Sequence, residues 1–128
     1  EDPLPHQIWI GAGIGITPFI ARMKQLAALP SRPRQSIDLF HTTADCDEAA
    51  LARLRADAEA AGVRLHVLLD ARDGLLDAER IRKVVPHWRD ASTWFCGPAT
   101  FGAALKRDFN ALGTAVGRRF HQEMFAMR

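Results

Sequence analysis

Apolar positions along this 128-residue chain fall into short runs that alternate with longer stretches of helical spacing. Gln7-Ile8-Trp9-Ile10 is brief, apolar and stopped by Gly11, after which Phe19, Ile20, Met23, Leu26 and Ala27 recur every three or four residues. This predicts a strand, a glycine loop and a helix broken by Pro30 to Pro33. Ser36 to His41 reads as a second strand, with Thr42 and Thr43 at its carboxyl end. Asp45 and Glu48 then stand at capping-box spacing, and Leu51, Leu54, Ala58 and Ala61 form an apolar stripe that Gly62 ends. Val63 to Leu69 is a third strand and Asp70 to Gly74 a polar turn, after which Asp77 caps a short helix buried through Ile81, Val84 and Val85. Thr93 to Cys96 is a fourth strand. Gly97-Pro98 opens a helix with Phe101, Leu105, Phe109 and Leu112 on one face and Gly113 as its stop, and a last strand runs from Arg118 to Phe125.

Strict alternation of strand and helix predicts an α/β fold, a doubly wound five-stranded parallel sheet flanked by helices, because parallel strands need right-handed crossover connections. In such sheets a ligand binds beyond the carboxyl ends of the strands, at the point where strand order reverses. The loops after the first, second and fourth strands are therefore expected to converge on one site.

Composition narrows the class. The chain is 48% hydrophobic and 25% charged, with a formal net charge of +2, which is the profile of one globular domain over residues 1–128. Basic and acidic residues number 7 and 8 up to Arg64, then 10 and 7 from Leu65 onward, so no basic face announces a nucleic-acid partner. No apolar run approaches the ~20 residues of a membrane helix and no basic-apolar leader is present, so a soluble chain is expected. The opening Glu1-Asp2-Pro3-Leu4-Pro5, without Met, suggests a domain cut from a longer polypeptide. Cys46 and Cys96 lack any ligand spacing, which signals neither a metal site nor a disulfide framework and makes a reducing compartment the default.

Two loops carry candidate chemistry. In Gly11-Ala12-Gly13-Ile14-Gly15-Ile16-Thr17-Pro18, missing Cβ atoms allow close approach of a ligand, and the helix start that follows favours an anion such as pyrophosphate. A tight structural turn is the alternative reading, and the spacing is not that of G-x-G-x-x-G. Cys96-Gly97-Pro98 sets a thiol, a residue without a side chain and a fixed turn beside the first loop, where a planar ring could lie; a small buried Cys ending a strand is the plainer account. His66 and His87 form no ligand pair, and the charges from Arg80 to Arg89 read as a solvated helix face.

Taken in order, Gly11 to Pro18, Cys96-Gly97-Pro98 and the ending Phe120-His121-Gln122-Glu123-Met124-Phe125 resemble the pyridine-nucleotide domain of the ferredoxin–NADP⁺ reductase superfamily. The ending is similar to the branch of bacterial ferric reductases and NADPH oxidases. The resemblance implies that Gly11, Ala12, Gly13, Gly15, Thr17 and Pro18 hold the pyrophosphate and nicotinamide ribose, that Cys96, Gly97 and Pro98 flank the nicotinamide, and that Glu123 and Phe125 stand at a flavin edge. Cys96, Glu123 and Phe125 are then the candidate catalytic residues. It implies NADP(H) or NAD(H) as cofactor, FAD in a β-barrel domain upstream in the same polypeptide, and a cytoplasmic location. In the ferric reductase branch it further implies a haem-containing membrane domain. Ala44 stands where NADPH-preferring relatives tend to carry an Arg, which leaves His41, Thr42 and Thr43 as hydrogen-bonding groups and Arg72 or Arg53 as the nearest cations. Two other readings are a reductase component of a soluble oxygenase and a non-catalytic nucleotide-sensing module on the same fold.

Overall fold

The computed structural model describes residues 6–30, 36–44, 47–113 and 118–122. Strand β1 (His6–Ala12) passes through a 3₁₀ turn (Gly13–Ile16) into α1 (Thr17–Ala28), followed by β2 (Ser36–Thr43), α2 (Glu48–Ala61) and β3 (Arg64–Leu69). A single helical turn α3 (Asp70–Asp73) and α4 (Ala78–Val84) lead through a second 3₁₀ turn (Trp88–Asp90) to β4 (Ala91–Cys96), α5 (Ala99–Ala111) and β5 (Phe120–His121). The five strands are parallel in the order β3-β2-β1-β4-β5. The chain winds outward from β1 to β3 and then crosses back to the other side of β1, so strand order reverses between β1 and β4.

Both faces of the sheet are covered, which is why β1 is apolar at nearly every position rather than at alternate ones. Ile8, Ile10 and Ala12 pack with Ile81 of α4 and Leu105 and Phe109 of α5, while Trp9 faces Phe19 and Met23 of α1 and Leu51 and Leu54 of α2. Ile8, Ile10, Phe19, Met23, Leu105 and Phe109 are fully buried, each stabilising the fold by about 1.5–3 kcal/mol. Truncating Phe19 to Ala would open a cavity under α1 at a cost of about 3–5 kcal/mol.

Several boundaries differ from the sequence expectation, each for a local reason. Asp47, not Asp45, caps α2: its backbone is extended and its carboxylate accepts the Ala50 N–H at 3.1 Å. Asp45 lies outside the described residues. Gly62, at φ 74°, closes α2, and Val63 belongs to that closure rather than to β3, because its N–H goes back to the Ala58 carbonyl at 2.8 Å. The polar turn after β3 is the helical turn α3, held by the Asp73 carboxylate accepting the Leu69 N–H at 2.9 Å. Val84 ends α4 exposed, and the buried face is Ala78, Ile81 and Val85. The last strand is confined to Phe120–His121 among the described residues, because Arg118 is helical and Arg119 a turn residue whose carbonyl accepts the Thr93 N–H.

At the β2–β3 edge a charged cluster replaces apolar packing. Asp38, almost fully buried, accepts from Arg64 Nε at 2.9 Å, Arg64 Nη2 at 2.7 Å and His66 Nε2 at 2.8 Å. His66 stacks on Phe40 with ring centroids 4.7 Å apart. Burial alone would raise the Asp38 pKa, but the hydrogen bonds from His66 and Arg64 outweigh it and hold the carboxyl below its ordinary range.

Candidate functional site

The carboxyl end of β1 meets both neighbours at one level: Gly11 is in register with His41 of β2 and with Cys96 of β4. Beyond it the chain must leave the sheet and start α1 within a few residues, and the glycines make that possible in different ways. Gly13 has φ +58°, and a Cβ built there would meet nothing within 4 Å. Its missing side chain therefore faces open space. A Cβ on Gly15 would collide with the Cys96 carbonyl and stand 2.9 Å from the Gly97 nitrogen. One on Gly97 would stand 2.7 Å from the Ala12 Cβ. The two loops touch backbone to backbone because each lacks a side chain where the other approaches.

In front of them lies a cleft of about 730 Å³. Among the expected site residues Ala12, Gly13, Gly15, Pro18, Thr42, Thr43, Cys96, Gly97 and Pro98 line it. Gly11, Thr17 and His41 are not in the lining. Gly11 lies behind the loop, with Ile16 and Phe19 against its Cα, and Thr17 opens α1 exposed to solvent. His41 is buried and its Nδ1 donates to the Gly11 carbonyl at 2.8 Å. Glu123 and Phe125 lie outside the described residues.

The lining also includes residues the sequence reading did not single out as ligands: Ile14, Ala44, Asp70, Leu75, Leu76 and Phe101. Ile14 and Leu75 are 93% and 79% exposed, and large aliphatic side chains so placed at a cleft mouth are the signal that could have marked them. Only contact across the fold shows that they face the same space.

Electrostatically the cleft is quiet. The Cys96 thiol is half-buried, and burial pushes its pKa up, so it stays protonated and contributes shape rather than a nucleophile. Asp70 is the charged side chain among the described lining residues. Arg72 is turned elsewhere: its Nε and Nη2 donate to the Asp73 carboxylate at 3.0 and 2.8 Å, and it borders a separate pocket of about 290 Å³ with Glu48 and Arg55. Among the described residues no group of three His, Cys, Asp or Glu side chains is placed to hold a metal ion, and no helix is long and apolar enough to cross a membrane.

Comparison with solved structures bears on this arrangement. A ferredoxin–NADP⁺ reductase from Plasmodium falciparum superposes with a TM-score of 0.68 at 17% identity, over 92% of this chain and 52% of that one. The fold is that of a ferredoxin–NADP⁺ reductase-like nucleotide-binding domain. An Amycolatopsis cytochrome P450 reductase matches with a TM-score of 0.66 and 30% identity over 98% of this chain and 38% of that one. In sequence, an NADPH oxidoreductase of Mycobacterium tuberculosis is 37% identical over 133 residues, covering 98% of this chain and 33% of the relative. The likeness to the reductase superfamily thus runs along nearly the whole chain, which spans about a third of the length of that curated relative. No protein-family model matches the chain.

Proposed function

We propose that this chain is the NAD(P)H-binding domain of a flavin-dependent oxidoreductase and that the cleft receives the dinucleotide. The observation that carries this reading is Gly13: a residue in left-handed conformation at the strand-order switch point, with open space where its side chain would be. The cleft volume is that of a small-molecule site, and its apolar walls with a few hydroxyls suit rings joined by a polar bridge. When bound, the reduced nicotinamide supplies a hydride from C4 and the flavin accepts it at N5.

In this reading Ala12, Gly13, Gly15 and Pro18 shape the pyrophosphate and ribose seat, with Gly11 and Thr17 supporting it from behind and from the start of α1. Thr42 and Thr43 offer hydroxyls to the adenosine ribose side. Cys96, Gly97 and Pro98 wall the nicotinamide, the thiol acting by size. Glu123 and Phe125 are the acid and aromatic assigned to the flavin edge. FAD belongs to a barrel domain elsewhere in the same polypeptide, in keeping with the fraction of its relatives that this chain spans.

For the destination of the electrons, the ending Phe120 to Phe125 gives a ferric reductase-like chain with a haem-bearing membrane part as one reading. The likeness to a P450 reductase favours a second, the reductase component of a soluble oxygenase. Sequence upstream of Glu1 separates them, since several apolar 20-residue segments would appear only in the first. The binding assignment itself is tested by titration calorimetry. Gly13→Val should abolish binding of NADPH and NADH at a stability cost of about 1–2 kcal/mol from the positive φ, leaving the domain folded, and equal affinity in variant and parent would overturn it.

A further inference from the structure

We infer that His41 is a positioning residue for the glycine loop: its imidazole holds the Gly11 carbonyl and so sets the peptide plane from which the loop leaves the sheet. The inference rests on the nucleotide reading of the cleft, but assigns His41 a role other than contact with the ligand. By sequence His41 is a hydrogen-bonding group for the nucleotide; in the structure it is 7% exposed and its Nδ1 lies 2.8 Å from the Gly11 oxygen. A carbonyl can only accept, so Nδ1 carries the proton.

Gly11 is held from two sides. On one, His41 binds its oxygen; on the other, Ile16 and Phe19 press so closely that a Cβ would stand 3.0 Å from the Ile16 Cα. Pairing of β1 with β4 ends at Gly11, and pairing with β2 ends one residue later at Ala12. The Gly11–Ala12 peptide is therefore the last one held from both neighbouring strands before Gly13 turns to positive φ. Rotating that plane would re-aim the Ala12 and Gly13 amides, which face the cleft in the nucleotide reading. The imidazole proton adds a donor to a peptide that otherwise only the ladder holds, so without it the plane is less tightly fixed at the point where the ladder ends.

The test uses two polar replacements of similar size. Asn carries its amide nitrogen about where imidazole has Nδ1, and Gln carries it about where imidazole has Nε2. His41→Asn should keep NADPH affinity within about twofold of the parent, whereas His41→Gln should weaken it about five- to tenfold, the equivalent of one neutral hydrogen bond. Their unfolding midpoints should agree, which separates aiming from general destabilisation. In the nucleotide-free chain, the Gly13 amide should shift its resonance and exchange faster with solvent in His41→Gln than in His41→Asn. Equal affinity and equal Gly13 exchange in the two variants would overturn the inference. Should the parent bind neither NADPH nor NADH, the nucleotide reading falls, while the Gly13 amide comparison still decides the role of His41.

Discussion

The two ends of β2 use polar chemistry in opposite ways. Near its start Asp38 gathers Arg64 and His66 around a buried carboxylate, and three short hydrogen bonds tie β2 to the edge strand β3. At its finish Thr42 and Thr43 open onto a cleft where geometry is held by missing side chains, Gly15 against Cys96 and Gly97 against Ala12. One end is made rigid by satisfied charge and the other is kept open by side chains that are missing from its loops. The difference teaches where this sheet stores stability and where it leaves space for a ligand.

The largest perturbation is to add a carbon at the cleft end. Gly15→Ala would drive a Cβ into the Cys96 carbonyl, and backbone on both sides leaves no flexible side chain to yield. Overpacking of this kind costs about 1–3 kcal/mol and here belongs at or above the upper end. Thermal unfolding should show a midpoint many degrees lower, together with loss of the cleft, and a larger drop than in Gly13→Val, which meets open space and carries only the strain of its positive φ, about 1–2 kcal/mol. Similar midpoints for the two variants would show that the loops do not pack as described.

Next is removal of the charge at the other end. Asp38→Asn removes the charge and one of the two acceptor oxygens and sets an amide N–H against the donors of Arg64 or His66, but the Arg64 side chain is 59% exposed, so water compensates in part and a loss of about 1–2 kcal/mol is expected. The sign with pH follows from the lowered Asp38 pKa: its contribution is complete above the unfolded carboxyl value of about 3.9 and is lost as pH falls through the lower folded value. Denaturant unfolding at a series of pH values should therefore show a constant separation of parent and Asp38→Asn above about pH 4 that closes as pH falls below it. Parallel curves would break the assignment.

The smallest effect comes from placing a positive charge at the cleft end, whose charged lining residue among those described is Asp70. Ala44 is exposed at the cleft, Arg72 is engaged by Asp73 and Arg53 borders a separate pocket with Lys24 and Asp57, so Thr42 and Thr43 are the lining groups left to discriminate a 2′-phosphate. Selectivity for NADPH should then be modest, about tenfold, and Ala44→Arg should raise it by a further factor of about ten. Paired titrations with NADPH and NADH check this. A parent preference of about a thousandfold would mean that a cation already reaches the phosphate, against the Arg72 geometry.

Local patterning carried most of the fold. Ile8 to Ile10, the stripe Leu51, Leu54, Ala58 and Ala61, and the Gly62 stop depend on periodicity and on backbone preference within a few residues, and each stands where that pattern put it. The slips were also local: Asp47, two residues on from Asp45, makes the cap, and of Ile81, Val84 and Val85, all read as buried, Val84 alone is exposed.

The site divides differently. Spacing was enough to mark Gly11, Gly13 and Gly15 as a loop of unusual residues, but the three are alike in sequence. What distinguishes them is what stands opposite each one: the start of α1, open space, and the backbone of a loop more than eighty residues away. The same holds for His41, turned to a carbonyl thirty residues back, and for Arg72, taken by its neighbour rather than by the cleft. Periodicity and turn chemistry act over a few residues and so can be read along the chain. Which groups share a space is settled by strand order and crossover, and side chains acquire their partners only when β1, β2 and β4 end together.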